Sequence, residues 1–211
     1  MAEADTLARM ERMYRPQIGF YDLTRKPYLL GRDRLIATLP LAPGDLVCEV
    51  GCGTGRNLAR LARRDPSLRL FGLDASAAML DRARRQTQAH FARGLAECLD
   101  PAVHFGLSGR FDRIVFSYSL SMIPDWRGAL ARALASLRPG GTLAIVDFGD
   151  QRNWSAPLKL LLRAWLRLFG VAPVDGLVTH LRSLDSTGAG RVEVTAIVGG
   201  YAQLALFHKT S

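Results

Sequence analysis

Lysine is nearly missing from this chain of 211 residues. Only Lys26, Lys159 and Lys209 are present, so 28 Lys+Arg against 19 Asp+Glu means an excess carried almost wholly by arginine. Cysteine is scarce as well. Cys48, Cys52 and Cys98 are too few and too scattered for a disulfide framework or a zinc site, which points to a reducing compartment. Apolar runs long enough for a membrane-spanning helix, about 18 residues, do not occur. The opening residues MAEADTLARMERMYRPQ are charged and lack an apolar signal-peptide core, so a cytoplasmic location is expected. The four histidines His90, His104, His180 and His208 show no metal-ligand spacing, and no metal is expected. What is there excludes wholesale disorder: 48% of residues are apolar and 22% charged. The length suits one domain, residues 1–211, with a sizeable core. A net charge of +9 is compatible with nucleic acid, anionic lipid or neither.

Residues 1–40 read as a helical cap, broken at Pro16 and resumed from Tyr28 to Leu39. Then an alternation begins. Leu46–Val50 reads as a strand, Arg56–Arg64 as a helix, Leu68–Leu73 as a strand and Ser76–Ala89 as a helix with Ser76 as N-cap. His90–Arg93 is a short strand, Phe111–Tyr118 a strand, Trp126–Leu137 a helix, and Thr142–Phe148 a strand after the turn Arg138–Gly141. Alternation at this spacing predicts an α/β fold with a mostly parallel sheet covered by helices on both faces. After residue 150 it stops. Residues 151–185 form a basic amphipathic insert, and Arg191–Val198 with Tyr201–His208, parted by Gly199-Gly200, reads as an antiparallel hairpin on the sheet edge.

The most informative stretch is Glu49-Val50-Gly51-Cys52-Gly53-Thr54-Gly55. A strand that feeds a glycine-rich turn into a helix lets backbone approach a ligand closely. The spacing is GxGxG. A dinucleotide fingerprint would need glycine where Arg56 stands, and no lysine follows the loop, which excludes a P-loop. Two carboxylates flank the turn: Glu49 two residues before Gly51, and Asp74 at the end of the next strand, where it can accept ribose hydroxyls.

This pattern resembles the class I S-adenosylmethionine-dependent methyltransferases over roughly residues 45–150. The resemblance implies a Rossmann-like seven-stranded sheet and S-adenosyl-L-methionine as cofactor. It implies that Glu49 and the loop Gly51, Cys52, Gly53, Thr54 and Gly55 face the methionine part. Asp74 and Ala75 would face the ribose, Met79 the adenine, and Ser117 the cofactor from the end of the fourth strand. Where that family often has an Asp for the adenine amino group, this chain has Leu95. Adenine would then be held by backbone around Leu95 and Ala96, or by Glu97. The segment Ser117–Trp126 lacks the Pro-Pro pair of nucleic-acid amino methyltransferases, so no nucleic-acid partner is expected.

Three further stretches, Arg12–Gln17, Tyr21–Arg25 and Tyr28–Arg32, look like the BtaB-type methyltransferases of bacterial betaine-lipid synthesis. The likeness continues in Ser117–Trp126 and Trp165–Pro173. It implies threefold methylation of the amino group of diacylglyceryl-homoserine. Phosphatidylethanolamine or a small amine stays open as acceptor, and so does a non-catalytic cofactor- or nucleic-acid-binding role. Displacement at a sulfonium methyl needs a neutral, well-aligned amine, and alignment alone can be worth roughly 7–11 kcal/mol. Tyr14, Tyr28 and Tyr118 are the candidates to orient that amine. Tyr21 is placed with the cofactor, and Arg25 and Arg32 are candidates to hold a carboxylate or an anionic lipid group.

Residues 154–170 add support for a lipid acceptor, as a membrane-docking face or a substrate lid, with packing of the apolar face on the domain's own core as the alternative. Leu158, Leu161, Leu162, Trp165, Leu168 and Phe169 fall at helical spacing on one face, with Lys159, Arg163 and Arg167 four apart on another. Residues 151–182 hold Arg152, Lys159, Arg163, Arg167 and Arg182 against Asp175 alone, close to half the net charge. The expected partner is a lipid at an anionic membrane surface, met peripherally from the cytoplasmic side.

Overall fold

The apolar runs settle into one sheet in a computed structural model that describes residues 29–168 and 171–210. Its strands are β1 (Leu46–Val50), β2 (Arg69–Asp74), β3 (His90–Arg93), β4 (Phe111–Ser117), β5 (Leu137–Phe148), β6 (Gly190–Ile197) and β7 (Ala202–Lys209). The spatial order is β3-β2-β1-β4-β5-β7-β6. β1 to β5 run parallel, while β7 lies antiparallel between β5 and β6. The chain reverses its winding direction between β1 and β4. In open α/β sheets a crevice opens there, beyond the carboxyl ends of the strands. β1, β4 and β5 from Gly141 onward are buried along nearly their whole length because both faces of these central strands are covered.

The covering helices are α1 (Arg32–Thr38), α2 (Arg56–Arg64), α3 (Ala77–Gln86), α4 (Pro101–Phe105), α5 (Trp126–Ser136), α6 (Ala156–Leu168) and α7 (Leu177–Ser186). One face of the sheet packs Val47, Val115 and Val146 with Leu35 of α1, Leu58 and Leu61 of α2 and Leu166 of α6. The other packs Phe71, Phe116, Ile145 and Phe207 with Leu130 of α5 and Leu181 of α7.

Several boundaries differ from expectation. The helix expected from Tyr28 begins only at Arg32, because Gly31 takes a left-handed turn at φ 88° just before it. α3 stops at Gln86, where Thr87 turns extended. β5 starts at Leu137 rather than Thr142, since Leu137 pairs with Phe111 ahead of a register shift. Two helices were not expected. α4 is capped by Asp100, whose Oδ1 accepts from the N–H groups of Ala102 and Val103 at 2.9 and 3.1 Å, with Pro101 in the first turn. α7 buries Leu177 and Leu181, four residues apart, against β6 and the lower core. Among the described residues no helix is long and apolar enough to cross a membrane. None of them form a group of three or more His, Cys, Asp or Glu placed to hold a metal ion.

Candidate active site

The turn after β1 is held by its neighbour strand. Gly51 and Cys52 both donate their backbone N–H to the Leu73 carbonyl, at 2.8 and 3.1 Å. Gly51, Gly53 and Gly55 have φ of 71°, 53° and 78°. At Gly51 the need for glycine is also steric: a Cβ would lie 2.4 Å from the Cβ of Ser119, which follows β4. Asp74 knits this turn to the next helix. Its Oδ2 accepts from Gly53 N–H at 2.7 Å and its Oδ1 from Ser76 N–H at 2.9 Å. Ser76 in turn caps α3 by accepting from Met79 N–H at 3.3 Å.

Glu49 lies fully buried on β1. Its Oε1 accepts from the Asn57 amide at 2.6 Å, while Oε2 is buried with no hydrogen-bond partner. Burial pushes its carboxyl up to about 7, against the pull of Asn57 and Arg32 toward the charged form. Asn57 Oδ1 and Ser117 Oγ are likewise buried without a partner. Glu49 pairs with Val115 in register, so Ser117, two residues along β4, shares its face. Three buried side-chain oxygens left without partners are costly when dry, by about 1–3 kcal/mol each. An ammonium group, with three N–H donors, matches them, and its charge would draw the Glu49 proton off.

At the far side, Gly94 N–H donates to the Asp74 carbonyl at 3.1 Å and Arg93 Nε to the Ala75 carbonyl at 3.0 Å. These bonds bring the ends of β2 and β3 together. Ala75, Met79, Leu95 and Ala96 are all buried there, an apolar setting of the kind an adenine ring takes. Cys52 and Thr54 are buried too, and burial pushes the Cys52 thiol well up, which leaves it inert. Arg32 opens α1 and faces Glu49 and Tyr118 electrostatically. Tyr118 stands at φ 56°, with its ring 4.8 Å from Phe148 edge-on and its hydroxyl donating to the Leu30 carbonyl. Burial and the nearby Asp147 push its phenol up, so it stays protonated. Tyr14, Tyr21, Arg25 and Tyr28 lie outside the described residues.

The structure also shows residues that spacing did not single out. Asn57 had a weak signal: an uncharged polar side chain in the first turn after a glycine loop, between Arg56 and the apolar Leu58-Ala59. Ser119, Ser121, Asp147 and Gln151 had none, since only the tertiary fold gathers them. Gln151 is buried at φ 49° with Oε1 unpartnered, a strained position beyond β5.

α6 begins beyond the carboxyl end of β5, and its far end returns to Ser121, whose carbonyl accepts from Ala172 N–H at 3.0 Å. The single apolar stripe expected for it splits in two. Leu166 is buried, and Leu162 and Trp165 pack beside it on the core. Leu160, Leu161 and Leu168 are 68%, 67% and 81% exposed. Of the basic residues on α6 only Arg167 is exposed; Lys159 and Arg163 are half-buried nearer the Leu166 side, with Arg163 paired to Asp175 at 3.2 Å. The reason is the helix period: Leu162 and Leu166 lie on one side, Leu161 and Leu168 nearly opposite to Leu166. Phe169 lies outside the described residues.

The glycine turn, the two flanking carboxylates and the sheet order are the features that make the chain similar to the S-adenosylmethionine-dependent methyltransferases of Rossmann-like fold. Residues 47–141 match the family described as methyltransferase domain. Among curated proteins the chain is similar to a trans-aconitate 2-methyltransferase of Deinococcus radiodurans, 33% identical over 174 residues, covering 77% of this chain and 64% of that protein. The chain thus spans somewhat less than two thirds of that relative's length. Among solved structures it resembles a Haloferax volcanii methyltransferase complexed with the activator Trm112, at TM-score 0.71 and 17% identity, covering 92% and 95% of the two chains. It also resembles phosphoethanolamine N-methyltransferase 2 of Haemonchus contortus bound to S-adenosyl-L-methionine, at TM-score 0.65 and 14% identity, covering 85% and 52%. At these identities the two structures speak to fold alone. The curated relative is named for trans-aconitate where the sequence resemblance implied a lipid amine.

Proposed function

We propose that this chain methylates the amino group of a membrane lipid, with diacylglyceryl-homoserine taken to the trimethylated betaine lipid as the leading acceptor. The observation that carries the reading is the exposed side of α6, where Leu160, Leu161 and Leu168 stand open next to the crevice at the carboxyl ends of the strands, with Arg167 exposed and Lys159 and Arg163 half-buried round the helix from them. Exposed apolar side chains rimmed by cations suit the boundary of an anionic bilayer, where each basic residue adds about 1 kcal/mol. In this reading residues 151–185 are the docking insert and residues 1–40 the cap over the acceptor. The location is the inner face of the cell membrane.

S-adenosyl-L-methionine, when bound, supplies an electrophilic methyl group. Glu49, Asn57 and Ser117 hold its ammonium, Asp74 its ribose, and Leu95 with Ala96 its adenine. The acceptor nitrogen must arrive neutral, because its lone pair makes the new bond. Tyr118 is anchored and protonated, so it orients the acceptor and takes no proton. Tyr14 and Tyr28 complete the orienting set.

The test is a vesicle assay with radiolabelled cofactor and diacylglyceryl-homoserine in anionic lipid. Labelled mono-, di- and trimethylated lipid on thin-layer plates is the expected result. A second reading, methyl transfer to a carboxylate of a small polyacid, draws on the trans-aconitate relative. Label on trans-aconitate with none on lipid would replace the first reading by the second. Label on phosphatidylethanolamine in a parallel arm would keep the class and change the headgroup.

A further inference from the structure

The segment from Tyr118 to Met122 touches four parts of the molecule. Ser119 Oγ donates to the carbonyl of Val50, the last residue of β1, at 2.8 Å. The Ser119 side chain also fills the space beside Gly51. Tyr118 N–H donates to the Val146 carbonyl of β5 at 2.8 Å, and its hydroxyl reaches the Leu30 carbonyl ahead of α1. Ser121 is tied on both sides of its backbone. Its N–H donates to Oδ2 of Asp147 at 3.0 Å, and its carbonyl accepts from Ala172, in the chain that follows α6.

Asp147 is fully buried on β5, and its Oδ1 takes a second backbone N–H, that of Phe148, at 2.8 Å. Holding a carboxylate inside an apolar sheet is expensive, and aliphatic side chains of similar size would serve packing better there. What the carboxylate adds is a fixed acceptor for Ser121. Through Ser121 the chain of bonds runs from β5 to the return of α6, and through Ser119 from the same short segment to the glycine loop.

We propose that Asp147 is a positioning residue that locks Ser121 between the cofactor loop and the chain following α6, so that cofactor binding and the placement of α6–α7 are linked. The proposal rests on reading Gly51–Gly55 as the cofactor loop. By linkage, a ligand that tightens one end tightens the other, with couplings commonly of about 5- to 150-fold. The chain of hydrogen bonds supplies the physical connection such coupling requires.

The test is hydrogen–deuterium exchange by mass spectrometry on the whole chain, with and without saturating S-adenosylhomocysteine, beside calorimetric affinities. In the wild type the ligand is expected to slow exchange at Val174–Arg182 by about fivefold or more. Asp147→Asn keeps the shape but sets an NH2 group against one of the two backbone donors. It is expected to bind S-adenosylhomocysteine within about fivefold of wild type while losing the slowing at Val174–Arg182. Retained slowing in this variant overturns the proposal, and so does a wild type that binds tightly with no slowing there. A wild type that binds no S-adenosylhomocysteine overturns the cofactor reading instead, and the link falls with it. Should Asp147→Asn fail to fold, Ala172→Pro removes the N–H that reaches Ser121 from an exposed site. The same loss of slowing is expected of it, and retention overturns the proposal equally.

Discussion

Between Leu46 and Ser76 the glycine turn is held mostly by bonds within its own segment, such as Gly53 N–H to Asp74, 21 residues apart, with Ser119 Oγ reaching the Val50 carbonyl from 69 residues away. Between Gly149 and Ser186, the region proposed to meet the acceptor, the chain hangs on distant partners: Trp154 Nε1 donates to the Val198 carbonyl, 44 residues away, and Gln151 N–H to the Gly200 carbonyl. The first region takes the shape of its turn largely from one strand, one turn and one helix, with Asp74 and Ser119 closing it from the neighbouring strands. The second receives its position from the rest of the fold. Mutations ought therefore to act locally and severely on the cofactor side, and through placement on the acceptor side.

The largest effect is expected at Gly51→Ala. The methyl group meets Ser119 at a backbone angle that L residues avoid, costing about 1–3 kcal/mol in strain and a similar amount in overpacking. Calorimetry should then show no measurable S-adenosylhomocysteine binding; wild-type affinity would refute the placement of the loop. Asp74→Ala strips the acceptor from Gly53 and Ser76, and the affinity should fall by roughly 10- to 100-fold.

On the other side, Trp165→Asp and Leu168→Asp sharpen the contrast. Trp165 packs on the core, so its replacement should lower stability by about 2–4 kcal/mol. Leu168 is exposed, so its replacement should change stability by no more than about 0.5 kcal/mol yet weaken flotation with anionic vesicles. Equal flotation of Leu168→Asp and wild type would remove the docking face. The smallest effect is one of pH. Glu49 holds its proton to about 7 in the folded chain against an ordinary value of 4.5, so the folded state binds the extra proton across that window. Its share of stability is full below pH 4.5 and is lost as the pH rises through 7. Asp147, pushed up to about 6 by burial, acts with the same sign. Ligand-free Glu49→Gln should melt with a flatter pH profile between these limits, and an unchanged slope would count against the buried carboxyl.

The same contrast governs what the sequence reveals. β1 and α2 match the expected Leu46–Val50 and Arg56–Arg64 residue for residue, because glycines punctuate both ends of the turn between them. Ser76 caps α3 as its residue type predicts. α7 went unseen because its buried pair, Leu177 and Leu181, is a short signal in a region without alternation. The α6 stripe misled for a different reason: periodicity tells which residues share a side of a helix, not what will cover that side. Asp147 reads as one more polar residue at a strand end until β5 is laid beside the segment from Ser119 to Met122.

The position of β7 has a consequence for how such a chain assembles. It follows β6 in sequence yet lies inside the sheet, bonded to β5 on one side and β6 on the other. Until Ala202–Lys209 has been synthesised, β5 presents a bare edge of unpaired N–H and C=O groups, and β6 has nothing to pair with. A chain that lacks Ala202–Lys209 therefore holds five parallel strands with an open edge at β5. Truncation ahead of Ala202 should leave a chain prone to edge-to-edge aggregation.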